Sequence, residues 1–213
     1  MLGGSAVDKA KKSMITAQIV IVGGGIIGTA VARELSRYEL DVLLIEAEAE
    51  VGWGTTKANS GIVHGGFHEE PGTLKAKYCF SGNQMYPKLC EELDVCFEQN
   101  GIMMVARTPH EMETVRLYYK RGKERGVNVQ LFSQEEVARQ EPNLDPKIVG
   151  ALFAPEGGAV MPFELAAALM ENAIQNGVKY KMNTTVIDAW REGDKKYLET
   201  PEQIIRASMT VVF

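Results

Sequence analysis

Apolar residues run unbroken through Ile19-Val20-Ile21-Val22, stop at Gly23-Gly24-Gly25, and resume at helical spacing through residues 27–40. A continuous β-branched run predicts a strand buried on both faces, and the switch in period predicts an amphipathic helix. A second run, Val42-Leu43-Leu44-Ile45, predicts another strand, so strand, turn, helix and strand occupy about 18–46. Residues 51–67 then break the alternation with Gly52, Gly54, Gly61, Gly65 and Gly66, several hydroxyl side chains and Asn59. A loop of that length inside a compact domain is usually functional. Over 73–92, Leu74, Tyr78, Met85 and Leu89 fit one face of a helix, with Gly82 and Pro87 as weak points.

The pattern next predicts a strand over 96–107, a helix over 109–125 opened by Thr108, and a strand over 127–132. Ser133-Gln134-Glu135-Glu136 is a capping box for a short helix that Pro142 ends. Residues 148–160, with Gly157-Gly158 at the turn, read as a β segment or hairpin. Pro162 suits a first helical position, and Phe163, Ala166, Leu169, Met170, Ala173 and Ile174 form an apolar stripe ended by Gly177. Strands follow over 179–189, 195–200 and 204–213. The outer elements are expected to share one sheet around a central α+β insertion. The last strand, Met209-Thr210-Val211-Val212-Phe213, is apolar and has no polar tail, which predicts a truncated chain and an uncovered strand edge that promotes association.

Composition narrows the function classes. With 213 residues, 45% of them hydrophobic, the chain can bury a sizeable core. A formal charge of -5 argues against a nucleic-acid surface. Lys9, Lys11 and Lys12 read as a short solvated tail. No apolar stretch reaches the roughly 20 residues of a membrane span. Residues 1–13 lack the apolar centre of a signal peptide, so the cytoplasm is the default location, with peripheral membrane association left open. Cys79, Cys90 and Cys96 show no metal or disulfide spacing, and His64, His68 and His110 form no zinc pattern, so no metal is expected.

Chemistry enters with the first turn. Gly23-Gly24-Gly25-Ile26-Ile27-Gly28 is a Gly-x-Gly-x-x-Gly sequence between a strand and a helix, and Glu46 closes the second strand. That is the order of a dinucleotide-binding unit. Gly23 permits the tight turn, Gly25 lets the backbone approach a pyrophosphate, and Gly28 lets helix and strand pack closely. The helix N-terminus offers N–H groups to phosphates, and Glu46 suits a ribose diol.

The stretch Gly52-Trp53-Gly54-Thr55-Thr56-Lys57-Ala58-Asn59-Ser60-Gly61-Ile62-Val63-His64-Gly65-Gly66 suits a peptide running beside an extended cofactor. With Pro71-Gly72-Thr73-Leu74-Lys75-Ala76-Lys77, Glu141-Pro142-Asn143-Leu144 and Gly158-Ala159-Val160-Met161-Pro162-Phe163, it resembles the FAD-dependent oxidoreductases of the D-amino-acid oxidase superfamily. The similarity is strongest to the glycerol-3-phosphate dehydrogenase and L-2-hydroxyglutarate oxidase branches and covers about 18–213. The family's usual chain is much longer, and its later half supplies further substrate contacts and a glycine-rich segment against the flavin.

The resemblance implies an α/β fold: a Rossmann-like FAD-binding domain over 13–95 and 161–213, with part of an inserted α+β substrate domain over 96–160. It places Gly23, Gly25 and Gly28 at the FAD pyrophosphate and Glu46 on the adenosine ribose. Thr55, Thr56, Asn59 and Ser60 would follow the pyrophosphate and ribityl chain, and Gly61 to Gly65 would pass the isoalloxazine. Val186 is either a strand residue whose backbone contacts the adenine or an ordinary sheet position.

The implied reaction is hydride transfer from a small anionic secondary alcohol to flavin while a base takes the hydroxyl proton. Glycerol 3-phosphate is the first substrate expected and L-2-hydroxyglutarate the rival. His64 is either that base or a flavin contact, and Lys75 is either an anion-binding residue or part of a solvated helix face. His68, Lys77, Arg107 and Arg139 are weaker site candidates. A reading of another class is an inactive FAD-binding or interaction chain completed by a partner polypeptide or by a missing C-terminal half. The sequence does not identify the electron acceptor.

Overall fold

The computed structural model describes residues 12–213. Lys9 and Lys11 lie outside them. Lys12 is not a solvated tail residue: its Nζ pairs with Glu199 at 2.8 Å and donates to the Thr200 carbonyl at 2.7 Å.

The chain divides into two compact units, residues 1–59 with 162–213, and residues 60–161. The stretch 60–95 therefore clusters with the insertion, whereas the sequence reading grouped it with the outer elements.

The first unit is built on a six-stranded sheet. β1 (Ser13–Val22), β2 (Val42–Ile45) and β9 (Lys179–Lys181) join β10 (Asp188–Glu192), β11 (Lys195–Glu199) and β12 (Gln203–Val212) in the order β10-β11-β12-β1-β2-β9. β12, β1, β2 and β9 are mutually parallel, while β10 and β11 return antiparallel. β1 sits inside the sheet, in register with β12 from Ser13↔Gln203 to Val22↔Val212 and with β2 from Ile19↔Val42 to Val22↔Ile45. Its double pairing explains the unbroken apolar run.

Alternate residues of β1 serve opposite faces. Val20 packs with Leu43, Ile45, Ile205 and Ala207, whereas Ile21 packs with Leu44, Val42 and the helices α1 (Ile26–Leu35) and α5 (Pro162–Gln175) through Ala32, Met170 and Ala173. Arg33 Nε donates to Asn172 Oδ1 at 3.2 Å across that helix pair.

Several sequence expectations shift. The first helix stops at Leu35, not at residue 40: the bonds shorten to three-residue spacing, Arg37 N to Glu34 O at 3.4 Å and Tyr38 N to Leu35 O at 3.1 Å, and the chain turns. The predicted strand over 179–189 is two strands separated by residues 182–187, so Val186 belongs to no strand and instead packs on the sheet core from a connecting segment. The final strand is not a free edge. β12 pairs with β1 along its full length and with β11 from Ile204 to Ala207, leaving only its last residues unpaired on that side.

The second unit contains β3 (Ile62–Val63), α2 (Leu74–Leu93), β4 (Phe97–Glu98), β5 (Ile102–Ala106), α3 (Pro109–Glu124), β6 (Gln130–Ser133), α4 (Gln134–Gln140), β7 (Gly150–Ala154) and β8 (Gly158–Val160). Its strands form two antiparallel sheets, β3-β8-β4 and β5-β7-β6. The predicted strand over 96–107 is thus broken into β4 and β5, in different sheets, at Gly101 with φ 83°.

Nor do 148–160 form a hairpin, since β7 and β8 also pair in different sheets. Gly157 and Gly158 are required by packing instead: a Cβ on Gly157 would lie 2.6 Å from the Ile102 side chain, and one on Gly158 would overlap the Glu98 carbonyl oxygen. The core of β5, β7 and α3 gathers Ala106, Val115, Val127, Val129, Leu152 and Ala154 around Phe67.

α2 inverts one expectation. Leu74, Tyr78 and Met85 are exposed, and the buried positions are Ala76, Asn83 and Cys90. Burial raises the proton affinity of the Cys79 and Cys90 thiols, which keeps both in the unreactive protonated form.

Candidate functional site

The glycine turn sits at the C-terminal end of β1, where a parallel sheet opens toward a ligand. Gly23 has φ 109°, a left-handed conformation that suits glycine, and its N–H bonds to Ile45 O at 2.9 Å. A Cβ on Gly28 would overlap the Gly23 carbonyl oxygen, so helix α1 can approach the turn only with glycine there.

Gly25 is the N-cap of α1, in extended conformation and without a side-chain cap. The first N–H groups of such a helix have no intrahelical acceptor and point at whatever occupies the turn. Thr56, which is buried, accepts from the Ile26 N–H at 3.1 Å through Oγ1, and the space above Gly25 is bounded by that same hydroxyl. Thr55 and Asn59 are exposed on the adjoining loop.

Glu46 lies at the end of β2 and reaches back to the turn. Oε2 accepts from Gly24 N at 2.5 Å and Oε1 from Glu48 N at 2.9 Å. Each carboxylate oxygen keeps a further lone pair, the capacity needed to accept from vicinal hydroxyls. These features fit a dinucleotide: a small-residue cradle, free helix N–H capacity and a carboxylate beside it. The mixed α/β architecture and the acid at the strand end therefore agree with the reading from sequence.

Beside this cradle the first unit has an apolar groove of about 820 Å³, lined among others by Trp53, Lys57, Phe163, Met170, Tyr180 and Met182. Lys57 Nζ lies 3.7 Å from the centroid of the Trp53 ring.

In the second unit, Ser60 and His64 are exposed and Gly61 is buried. β3 carries His64 to the start of a tight segment that ends at α2, whose N-cap Thr73 accepts from Ala76 N at 3.1 Å. Lys75, in the first turn of α2, is exposed, and its Nζ lies 3.3 Å from Glu69 Oε1. His68 Nε2 faces the same oxygen at 3.2 Å. Its proton affinity is lowered, chiefly by burial, with Glu69 opposing the shift.

Arg107 lies within 4.0 Å of Asp145, and Arg139 is in the last turn of α4. Glu69, Arg121 and Arg125 were missed by sequence reasoning. The one signal was an acid directly after His68 in a glycine-rich segment, since both arginines sit about fifty residues away.

A sequence profile of the FAD dependent oxidoreductase family matches residues 18–213. The chain is 44% identical over 171 residues to a glycerol 3-phosphate dehydrogenase from Caloramator mitchellensis, covering 80% of this chain and 36% of that protein. It is 31% identical over 188 residues to an L-2-hydroxyglutarate dehydrogenase of Escherichia coli O17:K52:H18, covering 82% and 44%. Among solved structures, an FAD-bound L-alpha-glycerophosphate oxidase from Mycoplasma pneumoniae superposes with a TM-score of 0.84 at 30% identity, covering 92% of this chain and 53% of that one. The chain thus spans less than half the length of either curated relative. With the fold, the glycine cradle and a match over nearly all described residues in agreement, the chain belongs to the family of FAD-dependent oxidoreductases.

Proposed function

We propose that the protein oxidises a small anionic secondary alcohol in an FAD-dependent reaction, with glycerol 3-phosphate as its substrate. The observation that carries this reading is the 44% identity to a protein named glycerol 3-phosphate dehydrogenase. L-2-hydroxyglutarate is the rival substrate, supported by the 31% identity to its dehydrogenase.

The cradle would hold FAD through Gly23, Gly25 and Gly28 at the pyrophosphate, with Glu46 accepting from the ribose hydroxyls. Thr55, Thr56, Asn59 and Ser60 follow the pyrophosphate and ribityl chain, Gly61 approaches the ring system, and Val186 contacts the adenine from its connecting segment. On this reading residues 13–95 and 161–213 serve the cofactor and 96–160 the substrate.

Bound FAD supplies the hydride acceptor. His64 takes the hydroxyl proton on an imidazole nitrogen, histidine being the side chain best suited to general-base work near neutral pH. Lys75, whose exposed ammonium lies 3.3 Å from Glu69 Oε1, would bind the substrate's anionic group. The described residues contain no helix long and apolar enough to cross a membrane, and we place the protein in the cytoplasm, free or peripheral to a membrane.

A reading of another class is an FAD-binding or interaction chain completed by a second polypeptide, favoured by the 36% share of the dehydrogenase that the chain spans. Anaerobic mixing of the FAD-loaded protein with each substrate separates the readings. Bleaching of the flavin by glycerol 3-phosphate supports the proposal, and bleaching by L-2-hydroxyglutarate alone transfers it to the rival. FAD uptake with reduction by neither supports the non-catalytic reading.

A further inference from the structure

Between β3 and α2 a second histidine and a buried acid stand next to His64, and the proposed chemistry leaves both without a task. Glu69 retains only 5% exposure, yet its carboxylate faces His68 Nε2 at 3.2 Å and Lys75 Nζ at 3.3 Å. A carboxylate oxygen accepts hydrogen bonds, so at this distance a proton on Nε2 is favoured over a lone pair, and the Nε2–H tautomer is the one expected of a neutral His68. The His68 ring lies 5.1 Å from the His64 ring, centroid to centroid, at a tilt of 59°. Phe67 meets it edge-on at 5.2 Å, and Tyr118 lies at 6.2 Å.

The backbone beneath is held from α3 and its C-cap. Arg125 donates to the Gly66 carbonyl at 2.7 Å and to the Glu69 carbonyl, while Arg121 donates to the His68 carbonyl at 3.4 Å and to Glu70 Oε2 at 2.9 Å. Two guanidinium groups thus fix the conformation of the short segment that carries the histidine and the acid. A solvated loop histidine needs none of this.

We propose that Glu69 and His68 form a positioning pair for His64, with Glu69 fixing the tautomer of His68 and the His68 ring setting the orientation of the His64 imidazole. Burial lowers the proton affinity of His68, Glu69 opposes that, and His64, Lys75 and Arg125 add to the lowering. His68 is therefore uncharged at neutral pH, and a proton on either ring disfavours one on the other. The catalytic consequence rests on His64 being the proton acceptor, whereas the pair itself is measurable in flavin-free protein.

The test follows the imidazole nitrogens of His68 by NMR in the wild type, Glu69→Gln and His64→Asn. Wild-type His68 should show the Nε2–H tautomer at neutral pH. Removing the Glu69 charge should lower the His68 midpoint and removing His64 should raise it, each by about half a pH unit, as befits partly solvated neighbours. A midpoint that ignores His64→Asn, an exposed position that the fold tolerates, or a wild-type Nδ1–H tautomer overturns the pair.

In FAD-loaded protein, His68→Asn should slow anaerobic flavin reduction at least tenfold with the substrate's apparent Kd unchanged. Wild-type reduction by His68→Asn beside a slow His64→Asn overturns the positioning role. Wild-type reduction by His64→Asn overturns the base assignment instead, and the NMR result still decides the pair.

Discussion

At Gly28 the turn carbonyl of Gly23 occupies the place where a methyl group would go. Gly28→Ala should therefore cost about 1–3 kcal/mol of stability even without cofactor, the usual penalty of overpacking, read as a lower denaturant midpoint. Gly25 is different, because the nearest atom to an added Cβ is Thr56 Oγ1 at 3.4 Å, an ordinary contact. Gly25→Val should fold and lose FAD affinity at least tenfold in a flavin titration, since the branched side chain projects where a pyrophosphate would lie. Unchanged affinity would reject the assignment.

His68 gives a pH dependence at the same scale. Its proton affinity is lower in the folded chain than in the unfolded one, so the unfolded state binds more protons between the depressed value and about 6.5. Stability should be complete above that window and fall as pH drops through it, and His68→Asn should flatten this loss in chemical denaturation at stepped pH. The glycine turn and the position of Glu46 were legible in the sequence because both follow from local geometry. The setting of Glu69 was not, because residues 66–70 are strapped by Arg121 and Arg125, about fifty residues away.

Among the elements, α4 depends most on its own sequence. It is only seven residues long, and the Ser133 hydroxyl accepts from Glu136 N at 3.3 Å while Glu136 Oε2 accepts from Ser133 N at 2.7 Å. Short helices nucleate poorly without such caps. Ser133→Ala should cost about 1 kcal/mol and raise amide exchange in α4 before the rest of the unit. The capping box was readable because donor and acceptor lie within four residues.

α2 was read as a helix through its apolar spacing, but its buried face was misassigned. Leu74, Tyr78 and Met85 form a convincing stripe, yet the positions that meet the unit's interior are the smaller Ala76, Asn83 and Cys90. Asn83 gains its place by donating to the Glu156 carbonyl at 2.9 Å, a bond no periodicity reveals. Over 148–160 the β segment was read correctly and only the hairpin alternative fails, for a related cause. Gly157 and Gly158 look like turn residues, whereas they are glycines because β4 and β5 crowd them from distant positions.

For the whole chain, the sheet of the first unit depends on segments more than a hundred residues apart. β1 would be an edge strand without β12, and β12 is drawn from the far end of the sequence. Early pairing of β1 with β2 is local, but closing β12 onto β1 must await the entire insertion, which raises contact order and slows folding. The last residues of β12 matter most for the cradle: Ile19 to Val22 pair with Met209 to Val212, Phe213 N donates to Val22 O at 3.0 Å, and the Phe213 carbonyl lies beside Gly23.

On the other side, the Ser208 carbonyl accepts from Lys196 Nζ at 2.7 Å, and Met209, Val212 and Phe213 stay exposed. Deleting residues 208–213 should therefore strip one side of the upper half of β1, loosen the glycine turn and expose an apolar parallel edge. The expected result is a lower Tm, weaker FAD uptake and concentration-dependent association in size-exclusion chromatography. Substituting Met209 and Val212 with Thr should instead reduce association while keeping the β1 pairing, because those side chains are outside the core and the backbone bonds remain. A deletion that left Tm and FAD uptake at wild-type levels would show that the turn is held by β2 alone, through the Gly23 N–H to Ile45 O bond.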